Sequence, residues 1–227
     1  MSVSRRPVIA IDGPAGAGKS TVARIVADRL QLLYIDSGAM YRALTWKAIL
    51  KEVSPDDQEG LERLAEDTKI QLINDPEADN RVFCDHQDVT SEIRGPEVSK
   101  QVSQVAKVPG VRKQMLRLQR GLGLQGGIVM DGRDIGSEVF PDADFKFFLT
   151  ASPDKRVERR QLEQIEKGFQ YNLEELKREM LERDQTDMQR EMGPLVKVPD
   201  AIEIDTTDMT LDQVVRRVLE IVNGGEK

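Results

Sequence analysis

A single lysine inside a glycine-rich stretch is the feature of this sequence that points most directly to chemistry. The segment GPAGAGKS, residues 13–20, fits the pattern G-x-x-x-x-G-K-[ST], with Gly13, Gly18, Lys19 and Ser20 at the required places. In that pattern, backbone N–H groups turn inward around a phosphate, the lysine reaches the terminal phosphates, and the hydroxyl binds Mg²⁺. The segment therefore predicts a site for a nucleoside triphosphate with magnesium.

A phosphate loop of this kind needs a strand before it and a helix after it. Residues 7–11, PVIAI, form a short β-rich apolar run, and residues 18–30 place Val22, Val26 and Leu30 on one side of a helix. That order directs the positive end of the helix at the bound phosphate. The context favours a P-loop over a glycine-rich turn that matches the pattern by chance.

The rest of the chain alternates between strand and helix patterns. Further strands are predicted at 32–35, 127–130, 145–150 and 201–204. Further helices are predicted at about 38–52, at 96–122 in two pieces around Pro109, at 153–167, at 172–190, and at 210–222 behind an N-cap at Thr210. The alternation predicts an α/β fold of the P-loop NTPase type, with a parallel five-stranded sheet and helices on both faces.

One segment, 68–93, interrupts this alternation. It reads as strand, turn, strand, turn and strand, with NDPEADN supplying turn residues. We interpret it as a small antiparallel insertion. Residues 1–67 and 94–227 would then form the core domain.

Composition narrows the classes of partner. The net charge of −7, from 33 Lys plus Arg against 40 Asp plus Glu, provides no general attraction to nucleic acid or anionic lipid. No run of about 18 apolar residues occurs, the only cysteine, Cys84, cannot form an internal disulfide, and residues 1–30 lack the order of a signal peptide. We expect a cytoplasmic monomer that binds small molecules, with no nucleic-acid or membrane partner.

Arginines and carboxylates follow two of the predicted strands. DSGAMYR, residues 36–42, follows the second strand, and DGRD, residues 131–134, follows the third. Because ligands of open parallel sheets bind outside the carboxyl ends of the strands, both segments would face the phosphate loop. Arg42 and Arg133 fit a second, anionic substrate, although each could instead form a structural ion pair with a nearby aspartate.

Two predicted helices each carry a set of charged residues on one face. The first set could contact the triphosphate during transfer or form a solvated charged face. The second could be a salt-bridge ladder or a ligand-binding set. The first set is Arg156, Arg159 and Arg160, and the second is Arg183, Asp187 and Arg190.

Five motifs in order along residues 7–222 resemble the bacterial cytidylate kinase family: IDGPAGAGKST, DSGAMYRALT, SQVAKVPGVR, DGRDIG and ERDQTDMQR. The resemblance implies transfer of a phosphoryl group from MgATP to CMP and dCMP. It also implies that the insertion at 68–93 is a substrate-binding subdomain and that a mobile lid, about 152–170, closes over ATP.

The resemblance further implies roles for individual residues. Those expected to bind ATP are Gly13, Pro14, Ala15, Gly16, Ala17, Gly18, Lys19, Ser20 and Thr21. Those expected around the acceptor are Ser37, Ser103, Arg112 and Asp134 near the base, Arg183 and Asp187 on the ribose, Arg42 and Arg133 on the phosphate, and Arg190 between the base pocket and the phosphates. Those expected to stabilise the transferred group are Lys19, Arg133, Arg156, Arg160 and Arg190. A carboxylate at Asp134 would accept from the N4 amino group of cytosine and repel O4 of uracil.

Magnesium is expected at Ser20 with Asp36, and Asp131 is an alternative to Asp36. No general base is needed, because the attacking phosphate oxygen of CMP is already an anion. Two other functions stay open: a P-loop kinase that phosphorylates a hydroxyl, with Asp36 as its base, and a regulatory ATP-binding protein without turnover. A GTPase is disfavoured because the sequence has no N-K-x-D segment.

Overall fold

The computed structural model describes residues 6–73, 81–166, 168 and 172–224. The turn expected at 74–80, and positions 167 and 169–170 of the expected lid, lie outside the described residues. The strands are β1 (Val8–Asp12), β2 (Leu33–Asp36), β3 (Ile70–Ile73), β4 (Arg81–Cys84), β5 (Gln87–Asp88), β6 (Ile128–Gly132), β7 (Phe145–Thr150) and β8 (Ile202–Asp205). The helices are α1 (Lys19–Leu30), α2 (Ser37–Leu50), α3 (Gln58–Glu66), α4 (Pro96–Lys107), α5 (Pro109–Leu122), α6 (Pro153–Glu166), α7 (Leu173–Gln189) and α8 (Leu211–Val222).

Two sheets are formed, as predicted. The larger has the strand order β2-β6-β1-β7-β8, and the pairs β1 with β6, β1 with β7, and β7 with β8 are parallel. The smaller has the order β3-β4-β5 and is antiparallel. The α/β fold with a five-stranded sheet and a small antiparallel insertion is therefore confirmed.

The chain divides into two compact units. The first comprises Met1–Tyr34, Gly126–Gln189 and Gly193–Lys227, and the second comprises Ile35–Gln125 and Arg190–Met192. These boundaries differ from those expected for a core with an insertion at 68–93. The division falls within β2, so that the strand carries the chain from one unit into the other.

The core of the first unit lies between its strands and helices α1 and α8. Every residue of β1 is buried, which is typical of a parallel strand covered on both faces. Val22 and Val26 of α1 and Val218 of α8 pack in one apolar cluster with Phe147 of β7. The predicted N-cap, Thr210, forms a capping box at the start of α8. Packing on β1 and α1 therefore fixes both ends of the glycine loop.

The second unit contains α2 to α5 and the small sheet. Val82, Cys84 and Val89 from the small sheet and its following turn pack against Ala39 and Ala43 of α2. The sheet buries its apolar face on α2, and this is why it joins a larger unit instead of forming one by itself.

Three elements were not predicted from the sequence, and the first is a 3₁₀ turn at Glu92–Arg94, where the segment 68–93 was expected to end in a strand. Helix α3 buries only Leu61 and Ala65 among nine residues and contains Gly60, so its apolar pattern is weak. Residues Ile135–Val139 form a turn of π-helix. Its backbone is held by a side chain distant in sequence, which local patterns do not indicate.

Candidate active site

The glycine loop between β1 and α1 has the backbone that its sequence requires. Gly16 has a φ of 75°, and a Cβ there would lie 2.8 Å from the carbonyl oxygen of Arg156. Ala15 packs on an apolar cluster of Val157, Leu176 and Met180. The loop is thus held against helices α6 and α7, and close approach as well as the positive φ demands glycine.

Lys19 is buried at the start of α1, and its Nζ donates to the carbonyl oxygen of Pro14 at 2.8 Å. Burial, followed by the positive charge of Arg133, lowers the pKa of Lys19 to about 7. The loop therefore places Lys19, whose ammonium group can lose its proton near neutral pH, at the point where the motif predicts a phosphate.

Asp131, near the end of β6, lies beside the loop. Its Oδ2 accepts from the hydroxyl of Ser20 at 2.9 Å, and its Oδ1 accepts from the hydroxyl of Tyr34 at 2.9 Å. Asp36 is engaged differently: its Oδ1 accepts from the N–H of Ala39 at 2.9 Å and caps α2. Of the two aspartates left open for magnesium, the structure places Asp131 against Ser20.

Arg133 and Asp187 come together from different predicted sets. The Nε of Arg133 lies 2.8 Å from Oδ2 of Asp187, and its Nη1 donates to the carbonyl oxygen of Gly132 at 3.2 Å. Although burial opposes the charged form, Asp187 raises the pKa of Arg133. Asp134, which directly follows Arg133 in sequence, is also buried. The cation of Arg133, two residues after Asp131, is thus paired with the carboxylate of Asp187.

Arg156 is anchored on the loop. Its Nη1 donates to the carbonyl oxygen of Ala15 at 3.0 Å and to Oδ2 of Asp184 at 2.5 Å, and its Nε donates to the carbonyl oxygen of Ala151 at 3.1 Å. Asp184 was not predicted, although it follows Arg183 directly in a quoted motif. The pair links α6, α7 and the loop through buried charge.

The other two arginines of the first set have different partners. Arg159 donates to the hydroxyl of Thr206 at 2.9 Å and to its carbonyl oxygen at 2.6 Å. Arg160 pairs with Glu163 at 2.7 Å on α6. The three arginines therefore do not share one environment, and Arg156 contacts the loop directly through the carbonyl oxygen of Ala15.

Replacing Asp184 by alanine should lower the free energy of unfolding by about 3 kcal/mol, because Arg156 would keep a buried charge without its carboxylate. The matched control is Asp154→Ala. Asp154 joins α6 to Lys177 of α7 at 2.7 Å on the exposed side of the same helix pair, where little change is expected. Denaturation in urea measures both, and equal losses would contradict the role assigned to burial.

In the second unit, Arg42 forms an ion pair with Asp36, with Nη2 2.6 Å from Oδ2. Although burial has the opposite effect, Arg42 lowers the pKa of Asp36. The structural ion pair that the sequence left open for Arg42 is thus present. Ser37, the first residue of α2, is buried beside Asp36 in sequence.

The remaining expected acceptor residues of the second unit lie on α4, α5 and the short segment at 190–192. Arg112 is buried, lies 5.7 Å from the ring centroid of Tyr41 and donates to the carbonyl oxygen of Ala106 at 3.2 Å. Ser103 is buried on α4, and Arg190 belongs to the segment Arg190–Met192. This unit thus contains Ser37, Arg42, Ser103, Arg112 and Arg190, whereas the P-loop, Arg133, Asp134, Arg183 and Asp187 belong to the first.

The described residues offer neither a metal centre made of protein side chains alone nor a membrane-spanning helix. In the described part of the chain, no group of three or more His, Cys, Asp or Glu side chains is arranged to hold a metal ion by itself. Among the helices that the structure describes, none is long and apolar enough to cross a membrane.

Comparison with known proteins identifies the family. The cytidylate kinase family model matches residues 9–224. The chain belongs to the cytidylate kinase family. It is 54% identical over 215 residues to the cytidylate kinase of Geobacillus sp. strain WCH70, covering 95% of this chain and 96% of that protein. It is 51% identical over 221 residues to the cytidylate kinase of Pelotomaculum thermopropionicum, covering 97% and 98%.

A solved structure of an uncharacterized protein from Eubacterium ventriosum shares the fold, with a TM-score of 0.52, 13% identity, and coverage of 96% of this chain and 98% of that chain. At that identity the likeness concerns the fold alone. Membership of the cytidylate kinase family makes the chain a kinase, and the P-loop with Lys19 and Ser20 is the part of the site that this class of enzyme requires.

Proposed function

We propose that this kinase transfers the γ-phosphoryl group of ATP to CMP and dCMP, forming ADP with CDP or dCDP. The observation that carries the proposal is the end of β6 within the cytidylate kinase match. There, Asp131 binds Ser20 of the P-loop, and the next turn bears Arg133, paired with Asp187, and the buried Asp134. A donor loop and a candidate acceptor reader thus share one strand end.

Positioning and charge neutralisation account for the chemistry. Lys19 would leave the carbonyl oxygen of Pro14 and bind the terminal phosphates, while Arg133 would bind the phosphate of the acceptor. The attacking oxygen is already anionic, so no side chain has to remove a proton. Burial of Lys19 and Arg156 in the free protein means that neither cation has to be stripped of a full hydration shell at the moment of transfer.

Asp36 does not suit the role of base that a hydroxyl kinase would need. Its carboxylate is held by Arg42 and by the N–H of Ala39, which together favour its ionised form at low pKa. A carboxylate of low pKa is a weak proton acceptor. The acceptor proposed here therefore remains a phosphate and not a hydroxyl group.

The donor set beside the P-loop fits magnesium. The hydroxyl of Ser20 and the carboxylate of Asp131 are hard oxygen ligands of the type that Mg²⁺ uses together with water and substrate phosphates. When bound, the ion would neutralise charge on the β- and γ-phosphates. We place Asp131, and not Asp36, in this role because Asp131 contacts Ser20.

Asp131→Asn should raise the Mg²⁺ concentration for half-maximal turnover at least about tenfold, because a supporting carboxylate orients the ion and its waters. Asp36→Asn is the comparison and should leave the Mg²⁺ requirement near that of the wild type. Titration of Mg²⁺ at fixed ATP and CMP measures both. A shift in the Asp36 variant alone would return the role to Asp36.

The proposed reaction is tested by ADP release with ATP and CMP, dCMP, UMP, AMP, GMP or shikimate as acceptor. Strong turnover with CMP and dCMP supports the proposal. Turnover with shikimate alone, or no acceptor-dependent turnover, would overturn it. We also propose that the protein is a cytoplasmic monomer and that the sheet β3-β4-β5 supports binding of the acceptor nucleotide. Light scattering of the purified protein tests the monomer, for which a molar mass near 25.6 kDa is expected.

A further inference from the structure

Asp12, the last residue of β1, is a buried carboxylate that the proposed reaction leaves without a role. It is 6% exposed. Its Oδ1 accepts from the backbone N–H of Ile135 at 2.9 Å, and its Oδ2 accepts from the N–H of Gly136 at 2.7 Å. These are the first two residues of the π-helical turn that directly follows Arg133 and Asp134. One side chain thus ties this turn to the strand that enters the P-loop.

Only a carboxylate provides this pair of acceptors. An asparagine in the same place would present one oxygen and one NH₂ group, so one of the two N–H groups would face another donor. The charge is nevertheless unfavourable at this site. Burial raises the pKa of Asp12 to about 6, against the lowering effect of the two N–H groups, and Asp134 raises it further while Lys19 lowers it. The fold therefore keeps an anion here at an energetic cost, for the hydrogen bonds it makes.

The P-loop and the π-helical turn at 135–139 depend on the side chain of Asp12 to different extents. The P-loop has other anchors: Arg156 on Ala15, and Ser20 on Asp131. The backbone of Asp12 itself stays in register between β6 and β7 whatever its side chain. The backbone N–H groups at 135 and 136, in contrast, are bound by the side chain of Asp12. Loss of the carboxylate should therefore release the turn more than the loop.

We propose that Asp12 is a positioning residue for the acceptor: through the backbone of residues 135–136 it fixes Arg133 and Asp134 relative to the P-loop. The proposal rests on the function proposed above and extends it. Asp12 acts on acceptor binding and selectivity although it lies next to the ATP loop in sequence.

The test compares Asp12→Asn with Asp144→Asn. Asp144, which directly precedes β7, accepts from the N–H of Val8 at 2.7 Å at the other end of β1, so the control removes a carboxylate that also binds a backbone N–H of this strand but lies away from the turn. We expect Asp12→Asn to lower kcat/KM for CMP about 100-fold, as a displacement of about 1 Å at a reacting group does, and to reduce the preference for CMP over UMP. The KM for ATP should stay within about twofold of wild type, and the control should change none of these.

Gly136→Ala is the second variant, which keeps Asp12 intact and serves where Asp12→Asn does not fold. A Cβ at Gly136 would lie 3.3 Å from Cδ of Lys146 and 3.4 Å from Oδ2 of Asp12, so the added methyl group crowds these two side chains, and they or the turn must give by a few tenths of an ångström. We expect Gly136→Ala to lower kcat/KM for CMP and the preference for CMP over UMP, each by a smaller factor than Asp12→Asn does.

A rise in the KM for ATP as large as the change for CMP, or an unchanged preference between CMP and UMP, would overturn the role of Asp12. If the wild type prefers another acceptor, the proposed function fails by itself. The role of Asp12 is then tested with that acceptor, by comparing how far Asp12→Asn changes the KM for the acceptor and the KM for ATP.

Discussion

Lys19→Met should lower kcat about 10³-fold, with CMP and ATP both saturating. Methionine keeps most of the length and apolar stem of lysine but removes the cation that would meet the charge of the transferred group. The variant should fold, because among the described residues the side chain of Lys19 has one hydrogen-bond partner, the carbonyl oxygen of Pro14, and burial disfavours its charge. Coupled ADP release measures the loss.

The matched control for this change is Lys177→Met. Lys177 is an exposed lysine on α7 that pairs with Asp154 away from the loop. We expect kcat within about twofold of wild type for the control, since exposed ion pairs contribute little. A Lys19→Met enzyme with more than a tenth of wild-type kcat would exclude the P-loop lysine from transfer.

The lowered pKa of Lys19 makes ATP binding sensitive to pH. In the free protein the pKa is about 7, because of burial and then Arg133, and a bound triphosphate would raise it. At pH 6 the lysine is charged before and after binding. Above pH 7 binding must take up a proton, so ATP affinity falls as pH rises towards the pKa of the complex. Calorimetry at pH 8 in buffers of different ionisation enthalpy should show this uptake, and Lys19→Met should abolish it.

Asp134→Asn should reduce the preference for CMP over UMP by about 10²-fold. The buried carboxylate of Asp134 can accept from the N4 amino group of cytosine, whereas the amide of asparagine can also donate to O4 of uracil. We expect kcat/KM for CMP to fall and kcat/KM for UMP to rise. Measuring both acceptors for both proteins gives the ratio directly.

The exposed Asp142 provides the control for this substitution, since Asp142→Asn removes one carboxylate from the same loop region without entering the proposed site. Its preference for CMP should equal that of the wild type. An unchanged preference in Asp134→Asn, with kcat/KM lowered equally for the two acceptors, would show that Asp134 supports the turn instead of reading the base.

Features built from neighbouring residues could be predicted from the sequence. The strand, glycine loop and helix around Lys19 depend on a contiguous segment, and β1 and α1 were both predicted to within about two residues. The break between α4 and α5 was predicted because Pro109 cannot continue the preceding helix. Helix α3 was missed because its apolar positions are too few to outweigh Gly60.

The order of five motifs along the chain determined the family, and the P-loop alone would have determined only a nucleotide-binding fold. What the sequence left open were choices between similar residues, and tertiary contacts distinguish these residues. From the sequence alone, Asp36 and Asp131 are equally good candidates to support magnesium. In the structure, Asp131 contacts Ser20, which is 111 residues away in sequence, whereas Asp36 caps α2. The parallel pairing of β1 with β6 is what brings the end of β6 to the P-loop.

The same reason explains the two carboxylates that the sequence did not single out. Asp12 binds N–H groups 123 and 124 residues away, and Asp184 binds an arginine 28 residues away on another helix. Neither contact follows from spacing along one element, since both depend on which elements pack together. The sequence by itself thus determined the class of chemistry and its loop, and the tertiary structure decided which buried charges hold that loop and the neighbouring turn in place.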